Sequence, residues 1–263
     1  PIPNPQKTAR RENGGRLTWV HDTDRLRTDP LCITLEDDMN PVADNIWETQ
    51  RPLNLGPVHL DHRMTVIRLD TGDLWVHSPI RLNPRLQKSL AELGPVTDLV
   101  APSVFHDLFI QEWADAYPQA RLHAADGLRQ EHGDWRITDE LTTSAAPTWT
   151  DEIEGLVLQG MPKINETVFV HKPSGTLIVA DLVFNYTDYQ LNTATSLTLR
   201  MAGTYQKFSA SRLFRMFIKD RGAMRASLDQ VLTWNFDRIL PGHGHAVETD
   251  GSQSLRQAWN FLS

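Results

Sequence analysis

Residues 64–124 constrain the fold most, because strand-like and helix-like runs alternate there with almost no spacer. "MTVIRLD" (64–70) and "DLWVHS" (73–78) read as two strands joined by a Thr71-Gly72 turn. "NPRLQKSLAELG" (83–94) reads as a complete helix. Asn83 suits its cap, Pro84 its first turn and Gly94 its end. Leu86, Leu90 and Leu93 fall on one face of it. "TDLVAPS" (97–103) reads as a short buried strand, "HDLFIQEWADAYP" (106–118) as a second helix, and "ARLHA" (120–124) as another strand.

Downstream, "IEGLVLQG" (153–160), "ETVFVHK" (166–172) and "TLIVAD" (176–181) predict three more strands. A mostly helical stretch is expected over about 209–235, broken at Gly222. "FDRILPGHG" (236–244) reads as a strand ending in a tight turn, and "SLRQAWNFL" (254–262) as a closing helix. Residues 31–62 read as loops and short strands packed on the main body, and residues 1–30 as a polar arm. Residues 31–263 are expected to form one domain. This order fits an α/β (α+β) fold in which sheets carry helices on their outer faces. Two sheets packed together between helices is one such solution.

Composition narrows the function. The net charge of −7 disfavours binding to phosphate backbones. No stretch approaches the roughly 20 apolar residues of a membrane span, and the opening "PIPNPQKTARRENGG" has no apolar segment of a signal peptide behind it. The single cysteine, Cys32, excludes an internal disulfide and a multi-cysteine zinc site. A cytoplasmic protein with a small-molecule ligand and no nucleic-acid or membrane partner is the expectation. Any metal must be held by histidine and carboxylate.

Four strand ends carry such groups. His106 and Asp107 stand at a strand-to-helix junction, where Asp107 suits either a helix start or a ligand. Asp181 interrupts the apolar run "TLIVADLVFN", where a carboxylate is costly unless paired or bound to a cation. His243 lies between two glycines that permit a tight backbone, and His245 is expected to face solvent. His77 ends the strand "LWVHSP" and suits either a site wall or a structural hydrogen bond. Two Asp and two His suit zinc, iron or manganese. Neither a Gly-rich phosphate loop nor a G-x-S-x-G elbow is present. Trp75, Phe105, Phe109, Trp113, Phe184, Tyr186 and Tyr189 accompany these segments, of which Phe105, Tyr186 and His77 are candidates for contact with substrate.

"LWVHSPI", "LVAPSVFHDLFIQEWADAYPQARL", "ETVFVHKPSGTLIVADLVFN" and "FDRILPGHG" together resemble the metallo-β-lactamase-like superfamily, over about residues 64–262. The resemblance implies an αββα sandwich with a metal site at one edge of the two sheets. The superfamily's H-x-H-x-D-H pattern falls on "PSVFHD". Its two leading histidines fall on Pro102 and Val104, its closing Asp-His pair on His106 and Asp107 in swapped order, and its downstream histidine near Met161. The bridging aspartate matches Asp181 and the last histidine His243. What the resemblance implies is therefore one divalent metal ion at most, held by His106, Asp107, Asp181 and His243, with the first metal site lost. Three functions remain open on that basis. One is a mono-metal hydrolase of a small ester, lactone or thioester. The second is a non-catalytic, metal-free member that binds a ligand or partner. The third is an iron-dependent oxidoreductase. The polar, loop-like stretch 186–208 is expected to form part of a lid.

Overall fold

The computed structural model describes residues 9–11, 17–19, 39–142, 149 and 151–262. The chain divides into two units, Pro1–Glu36 and Asp37–Ser263. In the first, β1 (Ala9–Arg11) pairs antiparallel with β2 (Leu17–Trp19). Cys32 and the rest of the arm expected over residues 1–30 lie outside the described residues.

The second unit contains a seven-stranded sheet, in order β3 (Asn40–Ala43), β4 (Ile46–Leu55), β5 (Val58–Arg68), β6 (Leu74–His77), β7 (Val96–Ala101), β8 (Arg121–Ala125) and β9 (Asp139–Leu141). The expected turn between β5 and β6 forms, with Gly72 at φ 87°. From β6 onward the strands run parallel, which requires a crossover between each pair. The first crossover is α1 (Pro84–Leu93), whose first turn is closed by Leu86 N donating to Asn83 Oδ1 at 2.9 Å. The second contains α2 (Ile110–Ala116) and the third α3 (Leu128–Glu131).

A four-stranded sheet follows, in order β10 (Ile153–Val157), β11 (Thr167–His171), β12 (Thr176–Ile178) and β15 (Arg238–Leu240). Between the last two come β13 (Phe184–Asn185), α4 (Thr193–Ala202), β14 (Phe208–Ser209), α5 (Arg212–Arg215) and α6 (Arg221–Val231). The chain closes with α7 (Gly251–Ala258) and a 3-10 turn, Asn260–Leu262.

Strand alternation explains the layering. Val66, Val76 and Leu99 pack with Leu86, Leu90 and Trp113 of α1 and α2. Their chain neighbours Ile67, Trp75 and Val100 point to the opposite face, where they meet Phe169, Ile178 and Leu240 of the other sheet. Val168, Leu177 and Ile239 then face Met224, Leu228 and Leu255 of α6 and α7. Each central strand is apolar on both faces because both faces are covered. The result is helix, sheet, sheet, helix: the expected αββα sandwich.

Four local expectations need correction. Residues 46–68 form a long hairpin rather than short strands, turning at Gly56 with φ 63°. Pro52 and the exposed tip hid the strand pattern, because the pair is buried only toward its inner end. The second helix starts at Ile110, since residues 103–109 are taken up by turns. The break in 209–235 lies at 216–220, and Gly222 sits in the first turn of α6, which Asp220 caps. The stretch 186–208 is not loop-like: Asn192 caps α4 within it and Gly203, at φ 74°, ends that helix.

Candidate metal centre

The ends of β12 and β15 lie side by side, because the two strands are parallel. Asp181 and His243 leave those ends, and His106 arrives from the turn after β7. The three offer ligand atoms that all lie within 4.8 Å of one another, and all three residues are buried. His106 Nε2 is 3.4 Å from Asp181 Oδ2, and His243 Nε2 is 3.4 Å from Asp181 Oδ1. One carboxylate is thus shared between two imidazoles.

Both glycines of "PGHG" are needed. A Cβ on Gly242 would stand 2.7 Å from Ala180 O and from His106 Cε1. Gly244 has φ 86°, and a Cβ there would stand 2.0 Å from Asn185 O. Buried Arg63 of β5 clamps the turn. Its guanidinium donates to the carbonyls of Pro241 and Gly244, and its backbone N–H donates to Gly242 O at 2.8 Å. Glu48 neutralises its charge. Phe184 stacks flat on His243, with centroids 5.2 Å apart, and fixes the ring's rotation.

The far nitrogens are engaged as well. His243 Nδ1 donates to the Asp61 carbonyl. His106 Nδ1 lies 2.6 Å from Ser78 Oγ, and that hydroxyl also meets His62 Nε2 at 3.0 Å. Ser78 is a non-glycine residue at φ 51°, a costly conformation that holds its hydroxyl between the two rings. Glu166 supports the aspartate from behind. Its carboxyl accepts the backbone N–H groups of Ala180, Asp181 and Leu182 at 2.8–3.2 Å.

Charge follows from this packing. Burial alone would raise the Asp181 pKa, but the two imidazoles outweigh it and hold the carboxyl well below its usual range. Burial, then the nearby Asp181 charge, pushes Glu166 up to about 8. Burial and the neighbouring imidazoles His106 and His243 push His62 down to about 3, so it is neutral at ordinary pH.

The three residues line a cavity of about 510 Å³, together with His62, Phe184 and side chains of α4 and α5. Asp107 lines the cavity beside His106, but its carboxylate meets His132 Nε2 at 3.1 Å and stands outside the three-residue group. Phe105 lines the cavity wall. His77 is buried against Trp75 and Phe169 inside the sandwich, and Tyr186 is buried against Tyr189 and Leu199; neither lines the cavity. His245 is exposed beside Tyr189. Met161, at the position of the expected downstream histidine, packs in the core of the second sheet and its helices.

Sequence reasoning passed over His62, Arg63, Ser78 and Glu166. The signal for His62 was the alternation Leu60, His62, Met64, Val66, which puts it on an inward face. Arg63, Ser78 and Glu166 carried no pattern of their own.

Among solved structures, the DIM-1 metallo-β-lactamase exposed to ceftazidime superposes with a TM-score of 0.60 at 13% identity, covering 86% of this chain and 97% of that one. The mono-zinc form of the metallo-β-lactamase FIM-1 from Pseudomonas aeruginosa gives 0.58 at 8%, covering 86% and 94%. The metal-soaked Flv1 flavodiiron core from Synechocystis sp. PCC6803 gives 0.59 at 11%, covering 86% and 60%. No curated protein matches the sequence. The fold is metallo-β-lactamase-like. The model of the domain of unknown function DUF4336 matches residues 43–200, more than half of the sequence, and the chain belongs to that family.

Proposed function

We propose that the protein is a mono-metal hydrolase of an ester, lactone or thioester, with one divalent ion held by His106, Asp181 and His243. The ring of His243 carries this reading. Its Nδ1 faces a carbonyl, which only accepts, so Nδ1 holds the ring proton. In the neutral ring Nε2 then presents a lone pair to a carboxylate oxygen 3.4 Å away. Such an arrangement is repulsive unless a cation lies between them, either a metal ion or the second proton of an imidazolium, and 3.4 Å is long for a direct charge-assisted hydrogen bond, which favours the ion. Histidine ligands are commonly oriented in this way, through the other ring nitrogen.

Two imidazoles and one carboxylate suit zinc, iron or manganese and leave coordination positions open. When bound, the ion polarises a carbonyl oxygen and makes a coordinated water acidic near neutral pH. Asp107 is not a ligand in this reading, because His132 engages it. The first metal site of the fold is lost, since Pro102 and Val104 offer no side-chain donor and Met161 is packed in the core. FIM-1 offers a parallel, since it has been crystallised in a mono-zinc form. In the net reaction, water's oxygen joins the carbonyl carbon while the bond from that carbon to oxygen or sulfur breaks. Water's two hydrogens end on the new carboxyl and on the leaving group. His106 and His243 stay fixed through Ser78 and Asp61, and Phe184 keeps water from one face of His243. The substrate is a small molecule rather than a nucleic acid or a membrane, given the chain's charge of −7.

One observation favours a second reading. A two-histidine, one-carboxylate set with open positions is also the donor set of non-haem iron oxygenases. Metal analysis decides between them. Protein purified without chelators is expected to hold about one equivalent of metal, lost in His243→Ala and in Asp181→Ala. Zinc or manganese with esterase activity supports the hydrolase; iron with a dioxygen-dependent reaction supports the oxidoreductase. Protein that takes up none of the three metals on refilling is a metal-free binder, and both enzyme readings fail.

A further inference from the structure

The cavity beside the metal centre has walls of one chemical character. Leu55 of β4, Phe105 and Leu108 of the turn before α2, Leu213 and Phe214 of α5, and Phe217 beyond it all line it. Among the described residues no lysine or arginine lines it, and the acidic groups that do are Asp107 and Asp181. Cationic side chains are not scarce nearby. An adjoining cavity of about 260 Å³, which shares Leu53 and His62 with this one, is lined by Arg51 and Arg81. The larger cavity is therefore poor at holding an anion and good at holding hydrocarbon.

Its rim is equally telling. Leu55, Phe105, Leu108 and Leu213 are each half exposed or more. Single exposed apolar residues are ordinary, but four around one opening form a contiguous patch. Phe105 meets Phe214 and Phe217 edge to face or tilted, about 6 Å apart, which leaves an aromatic wall with no polar tip. A volume of about 510 Å³ lies within the roughly 300–1,000 Å³ typical of ligand pockets. At about 30 Å³ per water-sized group, a ten-carbon chain fills ~300 Å³.

We infer that the substrate is a neutral carboxylic ester, lactone or thioester bearing a medium-length alkyl or acyl chain, with the chain in this cavity and the carbonyl at the three ligands. The identity of the reaction rests on the metal-centre reading above; the chain-binding cavity does not. The bond changes are those of the hydrolysis already given, and the chain is untouched by them.

Two series test this separately. In the first, the protein is titrated calorimetrically with methyl ketones of four to twelve carbons, with and without zinc. Affinity is expected to rise about three- to fourfold per added methylene until the cavity is full, in both states. Leu108→Asp and Leu213→Asp, at half-exposed positions, are expected to flatten that rise. Affinity that does not depend on chain length overturns the inference, as does tighter binding of decanoate than of the ketone of equal length to the metal-free protein. In the second, the zinc-loaded enzyme is assayed on p-nitrophenyl esters from acetate to decanoate, with kcat/KM expected to rise in the same steps. Hydrolysis that is flat or falling with chain length overturns the inference while leaving the hydrolase reading intact. Absent hydrolysis with a rising ketone series does the reverse. Self-association at micromolar concentration that Leu108→Asp abolishes, with no ketone binding, would assign the patch to a second copy and also overturn it.

Discussion

His123 and His243 each stand against a buried aspartate, yet the two pairs are built differently. His123 Nε2 closes on Asp98 Oδ1 at 2.7 Å. Asp98 also accepts from Trp149 Nε1 at 3.1 Å and Thr97 Oγ1 at 2.8 Å, so its carboxylate is saturated with donors. Trp149 packs edge-on against the His123 ring within the core. At the other pair, Asp181 is shared by two rings, each held back at 3.4 Å, and the group opens into a cavity. Other residues hold those rings by their far nitrogens. The closed pair fills its carboxylate with donors; the candidate ligand group is propped apart around a shared point. The second nitrogen of His123 stands 3.4 Å from Asp139 Oδ2, whereas that of His243 donates to a carbonyl; with burial and residue type alike, that partner and the separation from the buried aspartate tell the two apart.

The sharpest way to break that comparison is to remove one histidine from each. His123→Ala removes one of three donors from a buried carboxylate and is expected to cost about 1.5–3 kcal/mol of folding stability, with metal content unchanged. His243→Ala is expected to weaken metal binding by more than the roughly 10- to 100-fold of an outer-shell loss. The metal-free protein should lose far less stability from it than from His123→Ala. Urea unfolding of the metal-free proteins and metal titration of each check both halves. Equal loss of metal in the two variants would erase the distinction.

The same contrast shows how far the sequence could be read. Asp181 and His243 were legible because a carboxylate inside "TLIVADLVFN" and a histidine between two glycines are locally anomalous. The layered sandwich was legible because apolar runs and one well-capped helix alternate over 64–124. His62, Arg63, Ser78 and Glu166 were not. Their roles depend on pairings between residues far apart in sequence, such as Arg63 with the turn at Pro241 and Gly244. Asp107 shows the opposite case. It stands next to His106 in sequence, but its partner is His132, which no local pattern indicates.

A smaller effect is expected where the props themselves are cut. Ser78→Ala removes the hydroxyl from His106 Nδ1 while keeping the backbone. Metal affinity should fall about 10- to 100-fold, with His106 still present as a ligand. Gly242→Ala should act on the same ring from the other side, because its Cβ would collide with His106 Cε1 and Ala180 O. The overcrowding is expected to cost about 1–3 kcal/mol and to lower metal affinity along with it. Competition against a chelating dye measures both. Full affinity in Ser78→Ala would mean that His106 is held by packing alone.

The smallest expected effect belongs to pH, and it falls on the closed pair. Burial pushes the Asp98 carboxyl up, but the bonds from His123, Thr97 and Trp149 outweigh it and leave its pKa below the ordinary 3.8. The unfolded chain therefore takes up that proton more readily than the folded one. The stabilisation is complete above the ordinary carboxylate value and is lost as the pH falls through the lower, folded value. Asp98→Asn should flatten this acid limb of the stability curve, whether or not metal is present, because no ligand atom is involved. Unfolding midpoints between about pH 2 and pH 5, read in chelator and in saturating zinc, test it. If the limb at Asp98 moved with zinc, the closed pair would be coupled to the open one, and the two could no longer be treated as separate devices on one scaffold.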